Sequence, residues 1–452
     1  MSTLLHNAII VNEDRVYVGS LLIEGNRIKA LYEGKKSLFE LPPQAQNAQI
    51  TRDCENLLLF PGLIDDQVHF RDPGLTHKGD IESESKAAIA GGITSYMEMP
   101  NTKPPTITLT ALEDKLERAK EVSYANYSFF VGGTNDNASD IFKIDPHIFP
   151  GYKLFLGSST GNMLVDNDKA LDHFFAESPK VIAIHSESES IIRRNKDLFI
   201  ERFGEDPPID CHPLIRSEEA CYRSTNEAIN RATRYGTRLH VLHISTAKEA
   251  DIFENDKPLS EKKITAEACV HHLYFTDKDY RSKGTLIKWN PAIKTAKDRD
   301  TILEALVKNK IDVLATDHAP HLLSEKKGGA LKAASGGPLL QHTLLALLSL
   351  VEKNKLSLTD IVTKAAHNPA ILFGVEERGF LRQGYYADLV LIDPTAKTEV
   401  KRDASIISRC GWSPFEGCTF PARIVATYVN GSLVYDNGKF AEERVAMPLR
   451  FK

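Results

Sequence analysis

The sequence predicts an α/β fold, a (β/α)8 barrel of TIM type with a small β-sandwich made from its two ends, and two observations carry that expectation. From about residue 59 to 381, short β-rich runs alternate with amphipathic helical stretches, the rhythm of βα units around a parallel sheet. Residues 1–58 and 382–452 break that rhythm and read as short strands joined by Asn-Gly and Gly-rich turns, the hairpin signature.

The barrel strands, in order, are "GLIDDQVHF", "GITSYMEMP", "ANYSFFVGG", "GYKLFLGS", "VIAIHSES", "RLHVLHIS", "KITAEACVHH" and "DVLATDHAP". Between them lie stretches such as "LTALEDKLERAKEV" and "SEEACYRSTNEAINRATRYG", whose apolar and small residues recur at three- and four-residue spacing and so mark one face of a helix. Neither flank is long enough to make a stable sheet alone, so the two are expected to meet in one sandwich. A polar, Gly-rich stretch at 322–338, "LLSEKKGGALKAASGGP", follows a strand end that carries histidines and reads as a lid.

Composition excludes several classes of function. With 452 residues and 42% hydrophobic content, the chain can bury a large core. The net charge of −5 arises from interspersed acids and bases, with no basic block to attract phosphate backbones, so nucleic acid is not an expected partner. No apolar run approaches the roughly 18 residues of a membrane span, and the first residues lack a signal-peptide pattern, which predicts a cytoplasmic protein without membrane association. Six cysteines are scattered without a CxxC, favouring free thiols, so any metal is expected on histidine and carboxylate.

In the first barrel strand, strict alternation puts Asp65, Gln67, His69 and Arg71 on one face and Asp66, Val68 and Phe70 on the other. Buried polar groups cost free energy unless paired, so this face is either functional or a structural polar cluster. Other strand ends add to it. Lys153 lies among apolar residues, where a lysine must be paired, neutralised or modified. His185 ends strand five. His240 and His243, three apart, point to opposite faces of an extended strand, and His243 is nearer the strand end. Asp317 precedes His318 and His321. His69, Lys153, His185, His243 and Asp317 thus fall at the ends of strands 1, 4, 5, 6 and 8, where one metal cluster can collect them. His271 and His272 read as structural.

The ordered set "PGLID-x-x-V-H-F-R-x-PG", "EMPNTKP", "YKLFLGSSTGN", "IHSE", "LHIS", "ATDHAPH", "NPAILFG" and "ADLVLIDP" resembles the amidohydrolase superfamily, and within it the dihydroorotases, over nearly the whole chain. The resemblance implies a metallo-hydrolase barrel with two Zn2+ ions, bridged by hydroxide and by a CO2-derived carbamate on Lys153. It implies reversible cyclisation of N-carbamoyl-L-aspartate to L-dihydroorotate in pyrimidine biosynthesis. On this carry-over His69 and Asp317 hold the first metal and His185 and His243 the second, while Asp317 also moves the proton. Arg71, Asn101 and His321 meet the substrate carboxylate, with Asn290 as a further contact. The residue readings beside these are an ion pair of Arg71 with Asp72 or Asp80, and turn roles for Asn101 and Asn290.

The family pattern has a histidine where this chain has Gln67. A neutral amide oxygen is a poorer zinc ligand than imidazole, so Gln67 binds weakly, holds a water, or only hydrogen-bonds the site. Two other activities stay open at this point. One is a hydantoinase or dihydropyrimidinase acting on an uncharged ring. The other is an inactive subunit partnering aspartate transcarbamoylase; self-association as a homodimer is the remaining partner expectation.

Overall fold

The computed structural model describes residues 1–157 and 163–452. Part of the "GSSTGN" motif after the fourth barrel strand therefore lies outside the described residues. Eight parallel strands form the barrel: β1 Leu63–Val68, β2 Ile93–Glu98, β3 Asn126–Phe129 with its continuation Val131–Gly132, β4 Tyr152–Phe155, β5 Ile182–His185, β6 Leu239–Val241, β7 Ile264–Cys269 and β8 Val313–Ala315. Strand β3 pairs with β2, and its continuation pairs with β4. The ring closes between β8 and β1, where Val68 bridges to His318 and the His69 amide donates to the His318 carbonyl at 2.7 Å.

The helices form where the spacing predicts them. Leu109–Val122 buries Leu112, Lys115, Ala119 and Val122 on one stripe, and the Thr108 hydroxyl caps it by accepting from the Ala111 amide. Glu218–Tyr235 starts at the Ser217 cap and stops at Gly236, whose φ of 70° lets the chain leave the helix in the left-handed region. Short helical turns at Thr363–His367 and Asn368–Phe373 pack against the barrel, and Phe373 shares a buried cluster with Ile64, Met97, Ala183 and Val313.

Both ends of the chain enter one nine-stranded sheet. The first strand, Ser2–Asn12, pairs antiparallel with Arg15–Glu24, and Leu58–Pro61 joins it to the C-terminal strand Leu389–Asp393. Ser2–Asn12 changes partner along its length: Thr3–His6 pairs with Ile50–Asp53, and Ile9–Ile10 with Leu58–Leu59. The break falls at Asn7, in the left-handed region at φ 57°, beside a register shift. A bulge of this kind bends the strand and lets one sheet fold into the two faces of a sandwich. All six cysteines are free, and no described helix is long and apolar enough to cross a membrane.

Candidate active site

At the C-terminal end of the barrel strands lies a cavity of about 260 Å³. It gathers all ten residues singled out in the sequence: Gln67, His69, Arg71, Asn101 and Lys153 from the first four units, and His185, His243, Asn290, Asp317 and His321 from the rest. Phe155, Trp289 and the loop residues Ala334, Ser335 and Gly336 complete the wall.

Alternation along β1 does not hold as predicted. A register shift between Asp65 and Val68 interrupts it. Asp65 accepts from the Gln67 and Thr316 amides, while Asp66 approaches His240, so Asp65 does not share the cavity wall with Gln67. Of the two histidines at β6, His243 lines the cavity and His240 does not. Strand β6 ends at Val241, and His243 takes a left-handed φ of 42°, which re-aims its ring into the cavity. Arg71 and Asp317 are left-handed as well, at 71° and 49°. Non-glycine residues in this region cost on the order of 1–3 kcal/mol each and cluster where side-chain aim matters.

His185 Nδ1 and His243 Nε2 converge at 3.0 Å. On its far side His185 Nε2 lies 3.0 Å from Glu187, which Arg216 grips in turn. Burial pushes the Glu187 carboxyl up, yet Arg216 and His185 outweigh it and hold it at about 2, so it is ionised and orients the ring. Burial lowers the proton affinity of His185 and, far more, of His243, keeping both rings neutral and able to donate lone pairs. Sequence reasoning missed Glu187; the signal was its place two residues after His185, just past the strand end, in "HSES".

Lys153 is 1% exposed, and its amine has no hydrogen-bond partner among the described residues. Burial brings it down to about 7, so near neutral pH much of it is an uncharged nucleophilic amine. Asp317 Oδ1 lies 3.1 Å from His69 Nε2 and accepts from Gln67 Nε2 at 3.3 Å. The other His69 nitrogen meets Asn101 Oδ1 at 2.8 Å, so Asn101 orients His69 as well as lining the wall. Gln67 turns its Oε1 toward the Cys269 thiol at 3.7 Å. The single thiol proton is nearer Glu267 Oε1 at 3.1 Å, so the hydrogen bond that Gln67 makes here is the one from its amide nitrogen to Asp317.

On the opposite wall Arg71 donates to the Pro320 carbonyl and sits 3.1 Å from His321 Nε2. The ion pairs with Asp72 and Asp80 that the sequence left open are absent: those carboxylates pair with Arg118 and Arg409. Lys78 approaches the other His321 nitrogen at 3.2 Å and pairs with Glu325 of the 322–338 loop. Burial, together with Arg71 and Lys78, pushes His321 far below the ordinary histidine range. Asn290 accepts from Ser335 of the same loop. His271 stacks on Trp289, and His272 meets the Pro291 carbonyl, both away from the cavity lining.

The donor set fits a metal centre. His185, His243 and the amine of Lys153, once carboxylated, can hold one divalent ion; His69, Asp317 and the same carbamate can hold another. The Lys153 amine, without a hydrogen-bond partner among the described residues, is the observation that fits a carboxylated lysine, because the modification would convert a buried nitrogen into an anionic metal ligand.

A family model described as "Amidohydrolase family" matches residues 208–434. A dihydroorotase of Halobacterium salinarum is 34% identical over 383 residues, covering 84% of this chain and 86% of the relative. The chain belongs to the amidohydrolase family. Another dihydroorotase, from Pyrococcus abyssi, is 31% identical and covers 95% of this chain and 98% of its own. Among solved structures, the L-hydantoinase (dihydropyrimidinase) of Arthrobacter aurescens superposes with a TM-score of 0.91 at 26% identity, covering 100% of this chain and 99% of its own. This amidohydrolase is therefore an enzyme of the cyclic-amide group, with the metallo-hydrolase barrel and sandwich expected from its sequence.

Proposed function

We propose that this amidohydrolase is a zinc-dependent dihydroorotase, interconverting N-carbamoyl-L-aspartate and L-dihydroorotate plus water as a step of pyrimidine biosynthesis. The observation that carries the reading is Arg71. It is 6% exposed, lines the cavity, and has no carboxylate of the described residues within ion-pair distance. A buried guanidinium lacking an anion is costly, and its planar fork suits a bidentate substrate carboxylate.

Two zinc ions held by His69, Lys153 carbamate, His185, His243 and Asp317 would supply Lewis acidity and lower the pKa of bound water. The residues do the rest. Asp317, oriented by His69 and Gln67, takes the proton of the attacking water as oxygen adds to the ring carbonyl carbon. It then delivers that proton to the ring nitrogen as the C–N bond breaks, and ring closure reverses both transfers. Arg71 and His321 anchor the carboxylate at one end of the cavity, and Asn290 with Ser335 borders it under the loop.

A hydantoinase reading has the L-hydantoinase likeness in its favour. It leaves the unpaired Arg71 unexplained, since an uncharged ring has no anion to offer. An inactive partner subunit of aspartate transcarbamoylase has Gln67 in its favour, but it leaves Lys153, His185, His243 and Asp317 without a physical reason to converge. Turnover of dihydroorotate and of dihydrouracil, measured with zinc per chain, separates the three. Fast turnover of dihydroorotate alone is the expected result; a preference for the uncharged ring, or zinc without turnover on either, would overturn the proposal.

A further inference from the structure

Behind the cavity floor lies a second set of donors that the reaction does not use. Asp66 of β1, His240 of β6 and Glu267 of β7 are each 0% exposed, and one ligand atom from each falls within 4.8 Å of the others. His240 Nε2 is 3.2 Å from Asp66 Oδ2 and 3.9 Å from Glu267 Oε2. Both Asp66 oxygens, Glu267 Oε2 and His240 Nε2 lack hydrogen-bond partners among the described residues. Asp66 with no donor on either oxygen, beside a bare Glu267 Oε2, is strongly unfavourable in a dry interior unless a cation neutralises the pair.

The surroundings orient this set for one ion. His240 Nδ1 meets the Thr265 hydroxyl at 2.9 Å, and that hydroxyl already donates to the Leu239 carbonyl, so it accepts from Nδ1–H. In the neutral ring the lone pair of His240 is then on Nε2, facing the carboxylates, the arrangement usual for a metal-bound histidine. Glu267 Oε1 is occupied by the His243 amide at 3.0 Å and the Cys269 thiol at 3.1 Å, which turns Oε2 into the triad. Tetrahedral zinc with bonds of about 2.1 Å separates its ligands by about 3.4 Å, and the two nitrogen–oxygen distances here bracket that value.

We infer that Asp66, His240 and Glu267 form a buried structural site for one divalent transition-metal ion of the zinc class, separate from the catalytic pair. Such an ion offsets both buried charges. Through Glu267 it also steadies the backbone of His243, whose left-handed conformation aims a cavity ligand.

The test uses zinc alone and does not depend on the proposed substrate. In wild-type crystals, anomalous scattering at the zinc edge should give a peak bonded to His240 Nε2, distinct from any peak at His185 and His243. In a background in which His69, Lys153, His185, His243 and Asp317 are all replaced by alanine, which removes the ligands of both cavity ions, about one zinc per chain should survive dialysis, and adding Asp66→Asn should abolish it. Absence of the His240 peak overturns the proposal, as does zinc retention unchanged by both Asp66→Asn and Glu267→Gln. A protonated His240 locked between two carboxylates would then be the explanation, visible as two imidazole N–H resonances. If the variants fail to fold, the wild-type map alone decides.

Discussion

His185 and His243 turn ring nitrogens toward each other at 3.0 Å, while Glu187 holds the far nitrogen of His185. Two neutral imidazoles at this distance share one N–H···N hydrogen bond or offer both lone pairs to a cation, and the carboxylate behind His185 fixes which of its nitrogens faces inward.

Glu187→Gln should therefore weaken metal retention by about 10- to 100-fold, the range seen when such orienting partners are removed. Competition with a chelator of known affinity measures it. Unchanged retention would mean that packing alone orients His185.

Lys153→Ala should abolish turnover and most zinc binding in the cavity, with partial recovery on adding short carboxylic acids that replace the carbamate oxygens. The variant should still fold, because it removes an amine that has no hydrogen-bond partner among the described residues. An unmodified amine in a zinc-loaded, active crystal would refute the carbamate.

Arg71→Met removes the guanidinium expected to pair with the substrate carboxylate. Turnover of dihydroorotate should fall by about 10²- to 10³-fold, matching the several kcal/mol of a buried charge pair, while hydrolysis of an uncharged cyclic imide changes far less. Parallel losses on both substrates would assign Arg71 to scaffolding.

Gln67→His should tighten the ion shared by His69 and Asp317 without ending activity, since it exchanges an amide bonded to Asp317 for an imidazole ligand. Zinc per chain and activity are followed together through a chelator titration. If both cavity ions leave wild type in one step and the substitution does not move the curve, Gln67 does not tune this centre.

Asp206 accepts the amides of Gly329, Leu331 and Lys332 and so pins the 322–338 loop over the cavity. Replacing it with alanine leaves three amides to water. Protease cleavage within 322–338 should accelerate and KM should rise, with global thermal stability nearly unchanged. A melting temperature that drops with no new cleavage would show the loop is not what Asp206 holds.

Much of this architecture is set by local chemistry. Leu109–Val122 and Glu218–Tyr235 were legible because their capping residues and apolar spacing act within a few residues of each other. The barrel strands were legible because β-rich runs recur between such helices. Residue type at strand ends also singled out Lys153, since an amine among apolar neighbours has few stable fates.

Tertiary structure decided where those side chains point. Period-2 alternation misassigned Asp65 and Asp66, because pairing with β2 shifts register inside β1; it selected His243 for the cavity without showing the left-handed turn past the strand end that aims its ring. It could not foresee that Arg118 and Arg409, distant in sequence, would take Asp72 and Asp80 and leave Arg71 to the cavity. Nor could it foresee that Asp66, His240 and Glu267 would converge from three strands. Strand identity depends on neighbours along the chain, whereas side-chain direction and ion-pair choice depend on register and on partners that only the closed barrel brings within reach.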